Sequence, residues 1–526
     1  MDIPCELIQG SSSSVLNICS KKMPGLNLED KHLPRVSEYY NGKSVFVTGA
    51  AGFVGSVLLE TLLRCCPGIK SIYILLRSKK NVHPDIRKEH IFQKKIFEKM
   101  KEETAELLGK VNVIPGDASL PNLGMNEDHV QLLIEEVSIV FHCAAVVNFT
   151  KPLEFILKNN VLSLSSVIEL SKKMRKFEAL VYTSTAYCNC NHQNFPMKEE
   201  IRRLPFHADT FIDALKNEDS VMLQELVAQC KPDWPNSYTF SKCLAENVIL
   251  DTASDLPVVI IRPSTIMNTW KHPIPGYVEK NSGIIALSIG VGKGFIKVLH
   301  GDPNAKLDMV PADIVANAHV LAAWGVGTKR CGSPFVVNCT ATKDLYMKLG
   351  EYIETMTELS HKFPLPQSFE EHTGLIIVPN KYLYYIIAAY NHYLPAIVFD
   401  GMLKILRKKP RLYSLYRFFD TVMSSLNFFM FHSLEFEKKN LKYLDKLIQL
   451  EDRKDLELDF RGTTFLGLVL SMPEGSPFYD WKIDRKSQEE RQRIKYKRHM
   501  LIKCIQGMFL LACCLLIYRV FSIILY

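Results

Sequence analysis

The sequence predicts a doubly wound α/β domain on a parallel sheet, then a mostly helical region, then a C-terminal helix able to span a membrane. Three observations carry this. Short apolar, β-branched runs alternate with helical stretches from residue 40 to about 345. From 346 to 483 the spacing is helical and dense in aromatic residues. The closing segment, 504–526, is apolar and broken only by Gln506 and Arg519.

A chain of 526 residues is too long for one compact core. It reads as a disordered arm (1–39), a nucleotide-binding domain (40–345), a helical domain (346–483), a basic segment (484–503) and a membrane anchor (504–526). The arm is polar and Ser-rich and lacks the charged-then-apolar pattern of a secretory signal. The net charge of +8 is modest, and its cations are scattered except near the C-terminus, so nucleic acid is not an expected partner. The fourteen cysteines show neither zinc-ligand nor disulfide spacing and are expected as buried free thiols, with no metal site.

The first strand is Ser44-Val-Phe-Val-Thr48, followed by a glycine turn, an amphipathic helix bearing Val57, Leu58, Leu62 and Leu63, and a second strand ending at Arg77. Further strand-like runs lie at 111–117, 139–145, 179–185 and 258–264, and each is almost continuously apolar. Such runs belong to parallel strands covered on both faces.

The turn, Thr48-Gly49-Ala50-Ala51-Gly52-Phe53-Val54-Gly55, has the spacing of a Rossmann-type dinucleotide site. Gly49 permits the tight turn, Gly52 lets backbone approach a pyrophosphate, and Gly55 lets the helix pack close. Thr48, Ala51, Phe53 and Val54 join them as cofactor-binding candidates. Arg77 stands where an acidic residue would bind the ribose hydroxyls of NAD; a cation there fits a 2′-phosphate and predicts NADPH. Asp117 is expected at the adenine amino group, and Ala144, Ala145 and Val146 are expected to form a wall beside the adenosine.

Tyr238 and Lys242 are four residues apart on a predicted helix, so phenol and ammonium share a face. The cation is expected to lower the tyrosine pKa and make it a usable proton donor, and both residues are expected to touch the cofactor as well. A hydroxyl from Thr183-Ser184-Thr185 would complete a triad. Thr185, at the strand end, is preferred to Ser184. His142, Cys143 and Tyr187 read as packing residues.

Eight cations between Arg485 and Lys503 precede the apolar C-terminal run. That order predicts a tail anchor whose basic flank stays in the cytosol.

These motifs resemble those of the extended short-chain dehydrogenase/reductase superfamily, and within it the eukaryotic fatty acyl-CoA reductases. The matching pieces include TGAAGFVGSVLLETLLR (48–64), STAYCN (184–189), YTFSK (238–242), IRPS (261–264) and LDMVPADIVAN (307–317). The stretches LRKKPRLYSLYRFF and LEDRKDLELDF are similar to that family's "male sterility" region. The resemblance implies four-electron reduction of a long-chain acyl-CoA to a fatty alcohol by two NADPH, with Thr185, Tyr238 and Lys242 catalytic and Arg262 and Pro263 near the cofactor. A tail anchor suits the endoplasmic reticulum or the peroxisome membrane, facing the cytosol, and a homo-oligomer stays open. Two other readings fit parts of the sequence: a membrane-bound hydroxysteroid dehydrogenase, and an NADPH-binding scaffold without catalysis.

Overall fold

The computed structural model of the chain describes residues 33–525 except 193–194, 280–282, 342–344, 363–373 and 476–484. Seven strands form one sheet: β1 Ser44–Thr48, β2 Ser71–Leu76, β3 Val111–Pro115, β4 Val137–His142, β5 Ala179–Thr183, β6 Val258–Pro263 and β7 Phe335–Cys339. Their order is β7-β6-β5-β4-β1-β2-β3, and every pairing is parallel. The order reverses at β1, so a crevice opens beyond the C-terminal ends of β1 and β4. All residues of β1, β4 and β6 are buried, as their unbroken apolar runs require.

One face of the sheet carries the helices Phe53–Cys65 and Ala312–Gly327, which pack on each other. The other carries Ser163–Lys173 and Ser237–Thr252.

The region after 345 is helical, as expected, but it is not a separate body. Leu441, Leu444, Phe460 and Val469 belong to the same core as Val45 and Val47 of β1. Backbone hydrogen bonds join Met197 to Glu435 and Glu437. The arm expected over 1–39 lies outside the described residues through 32. Its last turn is corrected: Val36–Tyr40 is a helix whose Val36, Tyr39 and Tyr40 are buried, because their side chains complete the core beside Ala312–Gly327.

Arg485–Leu525 forms one long helix across the expected basic and anchor segments. Among the described residues no helix is long and apolar enough to cross a membrane. Of the expected spanning segment, the side chains at 513–514, 516–518 and 520–526 lie outside the described ones. The ten described cysteines are all free, and only Cys504 is exposed.

Candidate active site

The glycine turn leaves β1 directly into the helix Phe53–Cys65. Gly49 has φ +77°, and a β-carbon there would lie 2.6 Å from the Ala144 amide nitrogen. A β-carbon on Gly55 would lie 2.2 Å from the Gly49 carbonyl oxygen. The helix therefore crosses the turn at a separation only glycine allows. Gly52, its N-cap, offers no side chain to the first amides, and the first turn carries no acid. Those amides and the helix dipole suit an anionic group. Ala51, Phe53 and Val54 stay half-buried at the mouth, with Phe53 packed on Tyr277. The Thr48 hydroxyl is buried, bonded to His142 Nδ1 at 2.8 Å and accepting from the Ala144 amide at 3.3 Å.

Arg77 ends β2 as expected and is half-exposed, its guanidinium 3.0 Å from Asp117. Arg87, which sequence reasoning passed over, donates to the Arg77 carbonyl at 2.5 Å. Burial and the neighbouring charge of Arg77 push the Arg87 guanidinium below its ordinary pKa. Two guanidiniums thus gather where a 2′-phosphate is expected. The Asp117 carboxylate, expected at the adenine, accepts from Ser119 and from Arg77. Burial raises its pKa, but these hydrogen bonds outweigh it and hold the carboxyl below its usual range. Just past the end of β3, next to β2, it pairs with Arg77.

Asn236 caps the helix Ser237–Thr252 by accepting from the Thr239 amide at 2.9 Å. That fixes Tyr238 and Lys242 on the face toward β5. The Lys242 amine is buried, donates to the Thr183 carbonyl at 2.6 Å and lies 6.0 Å from the centre of the Tyr238 ring. The Thr185 hydroxyl is near enough to the Tyr238 phenol to act on its pKa. Ser184 donates instead to Glu246 at 2.6 Å, so Thr185 is the hydroxyl that completes the group. The expected lowering of the Tyr238 pKa is not found: burial raises it, with Cys188 adding, and the Thr185 hydrogen bond opposes. Desolvation is the reason, and it acts on Lys242 too, bringing that amine down to about 8.

Ala144, Ala145 and Val146 leave β4 along the crevice. Asn160, also missed, pins them: it accepts from the Val146 amide at 2.7 Å and donates to Ser241 at 3.0 Å, and Ser241 donates to the Tyr238 carbonyl. Asn160 sits in a π-turn, Lys158–Leu162, which no sequence periodicity announces. His142 is a core residue as read, kept neutral by burial and the nearby Lys242, with a pKa of about 3.

Arg262 is a correction. Its buried guanidinium donates to Glu246 at 2.8 Å and to the carbonyls of Lys198 and Glu200, so it serves the fold and not the cofactor. A buried cation this far inside the sheet must be paired, and Glu246 is the partner. The Pro263 carbonyl does reach the site, accepting from Thr185 at 3.5 Å. Among the described residues no cluster of His, Cys, Asp or Glu is placed to hold a metal ion.

Two profiles of the male sterility protein family match the chain, one over 47–319 and one over 391–465. Fatty acyl-CoA reductase 1 of Xenopus laevis is 33% identical over 426 residues, covering 81% of this chain and 82% of the relative. The chain belongs to the fatty acyl-CoA reductase family. Within that family, fatty acyl-CoA reductase 2 of Bos taurus is 30% identical and covers 92% of this chain and 94% of the relative. Among solved structures, the terminal R domain of the myxalamid biosynthetic pathway superposes with a TM-score of 0.54 at 19% identity, covering 82% of this chain and 90% of that one. That likeness concerns the fold alone.

Proposed function

We propose that the chain reduces a long-chain acyl-CoA to the fatty alcohol with NADPH, releasing coenzyme A and passing through the aldehyde. The observation that carries this is the meeting of Thr185, Tyr238 and Lys242 at the C-terminal edge of β5, beside a glycine turn that tolerates no β-carbon at 49 or 55. The names of the relatives supply the substrate class. NADPH, when bound, supplies the hydride for each of the two reductions. The residues that would hold it are the Gly49–Gly55 turn at the pyrophosphate and Arg77 with Arg87 at the 2′-phosphate.

The chain's own residues do the rest. The hydroxyls of Thr185 and Tyr238 hydrogen-bond the substrate carbonyl oxygen as negative charge develops on it. Collapse of the hemithioacetal expels the thiolate of coenzyme A and leaves the aldehyde. In the second reduction Tyr238 gives its proton to the alkoxide. The Lys242 ammonium steadies the phenolate that remains. Burial of the site strengthens each of these interactions.

The same reading holds the enzyme on a membrane, endoplasmic reticulum or peroxisome, facing the cytosol. Its support is the apolar run 504–526 behind eight cations. The test is product analysis: membranes bearing the full chain are incubated with NADPH and a panel of long-chain acyl-CoAs. Fatty alcohol from the wild type and none from Tyr238→Phe is the expected result. No reduced product across the panel would refute the reading.

A further inference from the structure

Three consecutive helices of the second region, Lys381–Ala388, Leu394–Ile405 and Leu412–Phe431, pack together. The Tyr384 hydroxyl donates to Asp420 at 2.8 Å, and the His392 ring stacks on Tyr416. Their outer faces are unlike an ordinary soluble surface. Tyr382 and Ile386, at i and i+4, are 79% and 67% exposed; Ile405 is 82% and Phe418 64% exposed. Each of the three helices therefore leaves large apolar side chains in solvent, and Leu406 in the following turn does the same. Exposed apolar groups repeated on successive helices mark an interaction surface.

The turn between the second and third helices names the chemistry of the partner. Lys404, Arg407, Lys408, Lys409, Arg411 and Arg417 are all exposed, and no Asp or Glu lies between them in sequence. Both flanking acids are taken up: Asp400 by the backbone amides of Arg411, Leu412 and Tyr413 at 2.9–3.1 Å, and Asp420 by the hydroxyls of Tyr384 and Tyr393. Apolar side chains framed by cations are what an anionic lipid surface attracts. A second copy meeting the same face would bring two basic turns together, which like-charge repulsion disfavours.

The C-terminal helix leaves the molecule from this region. Ile502 and Ile505 are buried, and Gln506 donates to the Tyr390 carbonyl and Asn391, both at 3.3 Å. Immediately beyond, Met508, Phe509 and Leu511 are exposed. Gln506, read from sequence as a break in the apolar run, is thus the point where the helix is fastened to the body.

We propose that this face rests on the surface of an anionic bilayer, with Tyr382, Ile386, Ile405 and Phe418 entering the boundary between headgroups and acyl chains and the 404–417 cations meeting the headgroups. The contact needs no segment to cross the membrane and so stands independently of any span at 504–526. It also places the helical half of the reductase against the phase in which long acyl chains dissolve.

Trypsin tests it, because the basic turn is its own substrate. The full chain is digested in detergent micelles, in phosphatidylcholine vesicles, and in vesicles of phosphatidylcholine with phosphatidylserine, and cleavage after Arg407 and Lys408 is timed. In the anionic vesicles cleavage slows about fivefold or more relative to both other conditions, since each cation near such a surface contributes about that factor. The double variant Ile405→Glu, Phe418→Glu, altered only at exposed positions, is cut at the detergent rate in all three. Equal rates for the wild type everywhere would overturn the proposal, as would protection that survives in the double variant. Protection that grows with protein concentration in the absence of lipid would assign the face to a second copy and overturn it as well.

Discussion

Among single residues, Lys242 decides how the site responds to pH. Its buried amine, held on the Thr183 carbonyl, titrates near 8 instead of its usual range. The ammonium is the form that steadies a tyrosine phenolate, so kcat/KM should fall as pH rises through about 8, and Lys242→Arg should shift that limb upward. Stability moves the other way. A folded-state pKa below the unfolded one makes the ammonium a cost that is fully present below about 8 and vanishes as pH approaches the unfolded value, a gain on the order of 3 kcal/mol. Urea unfolding between those limits should show that slope in the wild type and lack it in Lys242→Met. Tyr238→Phe should cut turnover by about 10²–10⁴-fold and leave NADPH binding nearly unchanged, as read by fluorescence titration. Arg77→Ala and Arg87→Ala should each raise the Kd for NADPH and leave that for NADH alone. Arg77 could be picked from sequence because it ends a strand. Arg87 could not, because it reaches the same spot from a helix ten residues on.

Among the secondary-structure elements, the turn and its helix are the clearest case of sequence dictating geometry. Gly55 meets the Gly49 carbonyl so closely that Gly55→Val must push the helix off the turn. Cofactor binding should be lost, by calorimetry, while the far-ultraviolet circular dichroism stays close to wild type. The strands and this helix were legible because apolar runs and glycine spacing are local. So was the i, i+4 pair of Tyr238 and Lys242, which needed only the helix period. The π-turn holding Asn160 was not, since one extra residue in a helical turn is stabilised by what it touches, here Val146 and Ser241. The Asn160 side chain thereby ties the β4 loop to the helix Ser237–Thr252.

In the molecule as a whole, the two regions are one body. The Glu199 carboxylate, from the segment after β5, accepts the amides of Asn338 on β7 at 3.0 Å and Asn440 in the helical region at 2.7 Å. Burial pushes its pKa up to about 7, against those two hydrogen bonds. A folded-state pKa above the unfolded one means stability present at low pH and lost as pH rises through about 7. The wild-type Tm should therefore fall between about pH 4 and 7, and Glu199→Gln should flatten the curve. Tyr187 packs against Phe429 and Phe436, so the residues just past the end of β5 are walled by the helical region. Mutations there should be felt at the site.

Local sequence was enough to determine the doubly wound sheet, the tight glycine turn, the shared helix face of Tyr238 and Lys242 and the helical character of the second region. Each depends on steric and periodic rules acting within a few residues. Tertiary packing was needed to decide that Arg262 pairs with Glu246, that Tyr238 is raised and Lys242 lowered by burial, and that Asp117 pairs with Arg77. It alone joined the helical region to the sheet's core and turned an apolar, cationic face outward. Those outcomes rest on desolvation and on pairing between residues distant in the chain, which no local pattern records.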